Sequence, residues 1–69
     1  MKYAVIYEKS SNGWGASIPD LPGCVALGFT FEETENLIRE ALQQHLCAMR
    51  EDGDKLPEPS HMVDTLEVA

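Results

Sequence analysis

The chain has 69 residues, of which twelve are acidic and five are basic, giving a formal net charge of −7. This length allows one small domain with a modest core, so we expect residues 1–69 to form a single domain. The acidic balance disfavours direct nucleic-acid binding, no apolar run could span a membrane, and no signal-peptide pattern precedes the first predicted strand, which favours a cytoplasmic location.

The first predicted element is a β-hairpin. Lys2–Lys9 is rich in β-branched and aromatic residues and predicts a strand, which we place in the sheet interior because both of its faces are largely apolar. Asn12-Gly13 is a typical hairpin turn, since both residues tolerate a positive φ. Trp14–Ile18 predicts the second strand.

The stretch IPDLPGC predicts a corner between strands rather than a catalytic loop. Pro19 ends the second strand because proline donates no ladder hydrogen bond. Asp20 is expected to cap the backbone two residues on, and Pro22-Gly23 fits the centre of a type II turn. Cys24–Phe29 predicts a third strand, with Gly28 allowing a sharp exit.

The clearest predicted element is the helix that follows. Thr30 is a good N-cap, Glu33 completes a capping box, and Gly53 suits the position after the helix. Helical spacing assigns one broad apolar face to the residues Phe31, Thr34, Leu37, Ile38, Ala41, Leu42, His45, Leu46, Ala48 and Met49. Cys47 is expected on the polar face, and Cys24 in the core.

The proline-rich segment Asp54–Ser60 predicts a stiff linker, and His61–Val68 predicts a short final strand. The predicted fold class is therefore α+β: a β-β-β-α-β domain whose antiparallel sheet is covered by one helix on one face. The uncovered face, carrying either Tyr3, Val5 and Tyr7 or Ala4 and Ile6, needs burial against another chain. We take Tyr3, Val5 and Tyr7 as the candidate oligomer face.

Residue chemistry alone indicates no catalytic site, metal site or cofactor. The histidines and cysteines lack zinc-ligand spacing. The sequence arranges no base for any serine, because distance along the chain cannot place His61. Asp20 could pair with Asp64 or Glu8 in metal-dependent hydrolysis, but nothing in their spacing requires them to converge.

The run YAVIYEKSSNGWGASIPDLPGCVALGFTFEETENLIREAL resembles the HicB family, the antitoxin half of HicA–HicB toxin–antitoxin pairs. The matching residues are Tyr3, Gly13, Trp14, Pro19 to Cys24, Gly28, Thr30, Glu33, Glu40 and Ala41. The resemblance implies a degenerate ribonuclease-H-like fold, oligomerisation, and binding to a small basic ribonuclease toxin. Many HicB proteins also carry a C-terminal DNA-binding domain; we expect none here, so operator binding is not carried over.

The preferred hypothesis is a non-enzymatic antitoxin that covers a small basic HicA-type ribonuclease. Its candidate partner-binding residues are Asp20, Leu21, Pro22, Glu32, Glu33, Glu40 and Glu51. The alternatives are an orphan homo-oligomeric scaffold and a Mg²⁺-dependent ribonuclease-H-like nuclease that uses Asp20.

Overall fold

The computed structural model describes residues 1–68, which form a three-stranded sheet followed by one helix. The strands are β1 (Ile6–Ser10), β2 (Gly13–Ser17) and β3 (Val25–Gly28), and the helix is α1 (Phe31–Glu51). All strand pairs are antiparallel, and the strand order is β1-β2-β3. The predicted α+β class, antiparallel sheet and single covering helix are confirmed.

The first strand is shorter than the sequence suggested and lies at the sheet edge. Lys2–Val5 is unpaired, and β2, not β1, is the central strand. The prediction of an interior first strand was therefore wrong. Apolar residues on both faces suggested a strand with a neighbour on each side. An edge strand can have the same pattern, because the side chains on its helix side are buried by the core and need no second neighbouring strand.

The hairpin forms where predicted, although Gly13 has a different role. Ser10 pairs with Gly13, which leaves Ser11 and Asn12 as the connection, and neither Asn12 nor Gly13 has a positive φ. Gly13 instead lies against the end of β3: a Cβ there would stand 2.5 Å from the Gly28 carbonyl oxygen. Close packing of two backbones, rather than turn geometry, requires the glycine.

The IPDLPGC corner consists of two consecutive turns. The Leu21 amide donates to the Ile18 carbonyl at 3.0 Å, and the Cys24 amide donates to the Leu21 carbonyl at 3.0 Å. Gly23 has φ +88°, as the third position of a type II turn requires. The Ile18 amide donates to the Cys24 carbonyl at 3.1 Å and closes the corner.

The core lies between this corner, the central strand and the helix. Its buried apolar residues are Ala16, Ile18, Leu21, Cys24 and Ile38, with Thr34 fully buried beside them. Tyr3, Val5 and Tyr7 pack against this cluster on the helix side of the sheet. Both cysteines are free thiols, Cys24 buried and Cys47 exposed, as predicted.

The helix begins and ends at the predicted residues. The Glu33 amide donates to the Thr30 hydroxyl at 3.0 Å, while the Glu33 carboxylate accepts from the Phe29 amide at 3.4 Å, one residue before the cap. Phe31 anchors the first turn, since its ring lies 4.5 Å from Tyr7 and 5.2 Å from Trp14, centroid to centroid. Gly53, with φ +75°, follows the C-cap.

The predicted final strand over His61–Val68 is not a strand among the described residues. The segment belongs to no ladder, and every residue in it is exposed. Tyr3 fixes the linker before it by donating its hydroxyl to the Pro57 carbonyl at 2.6 Å. The alternating apolar residues of this segment favour a strand, but no neighbouring backbone among the described residues pairs with them. Within residues 1–68, α1 is too polar to cross a membrane.

Candidate functional site: an acidic depression, a clasped corner and an open sheet face

An acidic depression lies at the start of α1 and brings together three of the predicted partner-binding residues. It has a volume of about 360 Å³ and is lined by Thr30, Glu32, Glu33, Asn36, Leu37 and Glu40. Leu37 was predicted on the buried helix face but is 38% exposed here. An apolar group surrounded by three carboxylates suits a cationic partner surface that also has an apolar contact to offer.

The other predicted partner-binding residues lie elsewhere. Pro22 is exposed at the corner, and Glu51 is exposed at the far end of the helix. Leu21 is 2% exposed and fills the core, so its side chain packs within the chain. The Asp20 side chain is only 4% exposed and is held by residues of the C-terminal segment.

Asp20 is the centre of a clasp formed with Ser60 and His61, which we call the Asp20 clasp. One carboxylate oxygen accepts from the Ser60 hydroxyl at 2.5 Å and lies 2.8 Å from His61 Nδ1. The other oxygen accepts from the Ser60 amide at 3.1 Å. The predicted capping of the next residues by Asp20 is therefore replaced by a contact across forty residues of sequence.

This clasp also changes the acidity of Asp20. The hydrogen bond from the Ser60 hydroxyl is the largest cause, and the contact with His61 adds to it, while burial acts in the opposite direction; together they lower the pKa of Asp20 to about 2. The carboxylate is therefore ionised at neutral pH and satisfied within the chain. The clasp could not be predicted from the sequence, because Ser60 and His61 follow the linker and only the folded chain shows that the linker brings them to the corner.

The clasp contains a serine, a histidine and an aspartate, but its geometry is not that of a hydrolytic triad. In a triad one imidazole nitrogen faces the aspartate and the other faces the serine. Here His61 Nδ1 lies 2.8 Å from the Asp20 carboxylate and 3.3 Å from the Ser60 hydroxyl, so one nitrogen makes both contacts. The arrangement fastens the C-terminal segment to the corner.

Within residues 1–68, no three side chains among the histidines, cysteines, aspartates and glutamates group as metal ligands would. Of the carboxylates that the sequence offered for metal-dependent hydrolysis, Asp20 is held in the clasp. Asp64 accepts from the Thr65 amide at 2.8 Å, and Glu8 lies on the sheet face that points away from the helix.

The structure also decides which face of the sheet is uncovered. Tyr7 and Ala16 point toward the helix, whereas the side chains on the other face are exposed: Ile6 by 41%, Val25 by 61% and Leu27 by 82%. We call this other side the open sheet face; it comprises Ile6, Glu8, Gly15, Ser17, Val25 and Leu27. The candidate oligomer face chosen from the sequence, Tyr3, Val5 and Tyr7, is therefore the side that the helix covers, and the side with Ile6 is uncovered.

Comparison with known proteins assigns the family. A family described as "HicB_like antitoxin of bacterial toxin-antitoxin system" matches residues 3–68. The chain belongs to the HicB-like antitoxin family. The resemblance read from the corner and the helix start is thereby confirmed.

The individual proteins that this chain is similar to differ in length. "Antitoxin HicB 2" of Photorhabdus laumondii is 33% identical over 60 residues, covering 87% of this chain and 43% of that protein. An uncharacterised 14.9 kDa protein of Haemophilus phage HP1 is 39% identical over 57 residues, covering 83% of this chain and 43% of its own length. A UPF0150 protein of Thermoplasma acidophilum is 34% identical over 58 residues and is covered over 84% of its length. The chain thus spans less than half of two relatives and most of the third.

A solved structure shares the HicB-like fold. A chain of a complex described as "HicA3 and HicB3 toxin-antitoxin complex" superposes with a TM-score of 0.70 at 30% identity, over 86% of this chain and 70% of that chain. The β-β-β-α arrangement is therefore that of a HicB-type antitoxin domain. The finer description of the fold as ribonuclease-H-like stays a prediction.

Proposed function

We propose that this HicB-like chain neutralises a small basic HicA-type ribonuclease by binding it through the acidic depression. The observation that carries the proposal is the placement of Glu32, Glu33 and Glu40 around an exposed leucine, in a chain with a net charge of −7. Complementary charge orients and accelerates encounter with a basic protein. The family assignment and the solved HicA3–HicB3 neighbour support a partner of this class.

The proposed role is inhibition by binding and involves no chemistry by the chain itself. Asp20, the residue on which a nuclease alternative would depend, is engaged by Ser60 and His61. The acidic surface also opposes approach of a phosphate backbone. Of the remaining partner candidates, Pro22 and Glu51 are exposed and stay predicted contacts, while Asp20 and Leu21 would act by shaping the corner.

The direct test is a growth assay with the product of the reading frame beside this chain's own, which the proposal requires to be a short basic protein. Expression of that protein alone should arrest growth, and co-expression of this chain should restore it through a stoichiometric complex. A chain that restores nothing and purifies as a homo-oligomer would replace the proposal with the scaffold alternative. Metal-dependent RNA cleavage abolished by Asp20→Asn would instead favour the nuclease alternative.

A charge-matched pair of variants tests the acidic depression itself. The double variant Glu32→Lys/Glu40→Lys should weaken binding of the basic protein by about tenfold at low salt and flatten its salt dependence. The control Glu58→Lys/Glu67→Lys makes the same change in net charge at exposed positions outside the depression. Equal losses in both variants would show a general charge effect and remove the depression as the binding site.

A further inference from the structure

The open sheet face continues into a second depression at the end of the hairpin. This second depression, of about 270 Å³, is lined by Ser10, Asn12, Gly13, Trp14, Leu27, Gly28, Phe29 and Glu33. Leu27 belongs to both, and Phe29 beside it is 81% exposed. Val25, Leu27 and Phe29 therefore form a row of apolar side chains along β3 and just beyond it, which nothing in residues 1–68 covers.

This apolar row is joined to the acidic depression. Glu33 lines both the acidic depression and the hairpin-end depression, and Leu27 lines both the hairpin-end depression and the open sheet face. Three adjoining hollows thus form one surface that runs from the first turn of α1 to the middle of the sheet. A protein partner that covers all three hollows would contact the acidic depression and the apolar row together.

The charges along this surface favour one occupant. Within the described chain, Glu8 is the only charged residue that lines the open sheet face, and Glu33 is the only one that lines the hairpin-end depression. Lys9 stands 5.9 Å from the centroid of the Trp14 ring but lines neither hollow. A second copy would bring its own −7 charge to an acidic surface, whereas a basic partner would neutralise it.

We propose that the row Val25, Leu27 and Phe29 is the apolar anchor site for the same basic protein partner, with Glu8 and Glu33 facing its cationic groups. The inference rests on the proposed function and adds to it the surface that supplies most of the affinity. In protein interfaces a few well-packed apolar or aromatic contacts carry most of the binding energy, while surrounding charges set orientation and rate. Gly15 has no side chain, and the atom nearest to a Cβ built there is Leu27 Cδ2 at 3.4 Å, so the end of the exposed Leu27 side chain lies over the middle of the sheet.

The test is methyl NMR of the full chain, labelled at leucine and valine and titrated with the unlabelled product of the adjacent reading frame, which the proposed function requires to be a short basic protein. Val25 and Leu27 should shift together with Leu37 of the acidic depression. Leu66 and Val68 serve as internal controls, because they are 86% and 87% exposed and lie in the C-terminal segment. Shifts at Leu37 without shifts at Val25 and Leu27 would overturn the anchor site and leave the acidic depression as the binding surface.

Matched variants give the size of the effect. Leu27→Ser should weaken binding about thirtyfold, as removal of a central apolar anchor does. Leu66→Ser makes the same replacement at a nearly equally exposed leucine and should change the affinity by less than about twofold. Because Leu27 is 82% exposed, its loss should leave the thermal unfolding of the free chain almost unchanged, which separates a binding defect from misfolding.

The outcomes distinguish the two proposals. Loss of binding in Leu27→Ser with retention in Leu66→Ser supports both. Equal binding by both variants overturns the anchor site while the proposed function stands. A wild-type chain that does not bind the basic protein refutes the proposed function and the anchor site with it, and sedimentation would then show whether Leu27 mediates contact with a second copy.

Discussion

Replacement of Gly28 by alanine tests the close approach of the helix to the sheet. A Cβ at Gly28 would lie 2.5 Å from Thr34 Oγ1, 3.0 Å from the Thr34 amide nitrogen and 3.2 Å from its Cα. Thr34 is fully buried and its hydroxyl donates to the Thr30 carbonyl at 2.8 Å, so it has little room to move. Gly28 was interpreted from sequence as a sharp exit from β3, but its φ is not positive, and the constraint on it is contact.

The size of the effect follows from these distances. The helix start would have to move by about 1 Å to restore ordinary van der Waals contact. Overpacking of this kind costs about 1–3 kcal/mol, while the reduced freedom of the unfolded chain returns about 0.4–1 kcal/mol. We therefore expect Gly28→Ala to lower the free energy of unfolding by about 1–2 kcal/mol, or the Tm by roughly 5–15 °C in a domain of this size.

The matched control is Gly15→Ala on the open sheet face. There the nearest atom to an added Cβ is Leu27 Cδ2 at 3.4 Å, the end of an exposed side chain that can rotate away. The free energy of unfolding should change by less than about 0.5 kcal/mol, or rise slightly. Urea denaturation followed by Trp14 fluorescence measures both variants.

Two results would refute this reasoning. The first is a Gly28→Ala variant as stable as the wild type, and the second is an equal loss in Gly15→Ala. A double-mutant cycle adds a check on the assigned contact: Thr34→Ala removes Oγ1, so Gly28→Ala should cost less in that background than in the wild type. Purely additive effects would show that Gly28 and Thr34 do not meet.

Three further predictions concern the clasp, the helix cap and the core. Because the folded pKa of Asp20, about 2, lies below its ordinary value of 3.8, the stability that the Asp20 clasp contributes is complete above about pH 4 and is lost as the pH falls toward 2. NMR spectra should show residues 61–68 released from the corner over that pH range, and Asp20→Asn should release them at neutral pH. Spectra that change neither with pH nor in Asp20→Asn would show that the clasp does not form in solution. Thr30→Ala should lower the free energy of unfolding by about 1 kcal/mol in urea denaturation, because the Glu33 amide loses its acceptor. Thr30→Ser should recover most of this loss. An alanine variant as stable as the wild type would contradict the cap. Ile38→Ala should lower the free energy of unfolding by about 2–5 kcal/mol in urea denaturation, a large share of the total of roughly 3–10 kcal/mol expected for a domain of 69 residues. A decrease below about 1 kcal/mol would show that Ile38 does not lie in the core.

The sequence by itself determined the features that depend on neighbouring residues. Thr30 and Gly53 set the ends of the helix because caps act within one turn, and Pro22-Gly23 set the corner because its turn needs a positive φ that glycine supplies. The family could also be identified from this local pattern, since the corner and the helix start lie within one short run of sequence.

The tertiary structure alone decided which surfaces are free. Periodicity showed that β1 has two apolar faces, but only the helix position covers Tyr7 and exposes Ile6. The final segment has strand propensity, yet pairing needs a neighbouring backbone that sequence pattern does not provide. The join between Leu27, Phe29 and Glu33 likewise depends on how β3 passes into α1, because residues on a strand and a helix share a surface only after the two elements pack together.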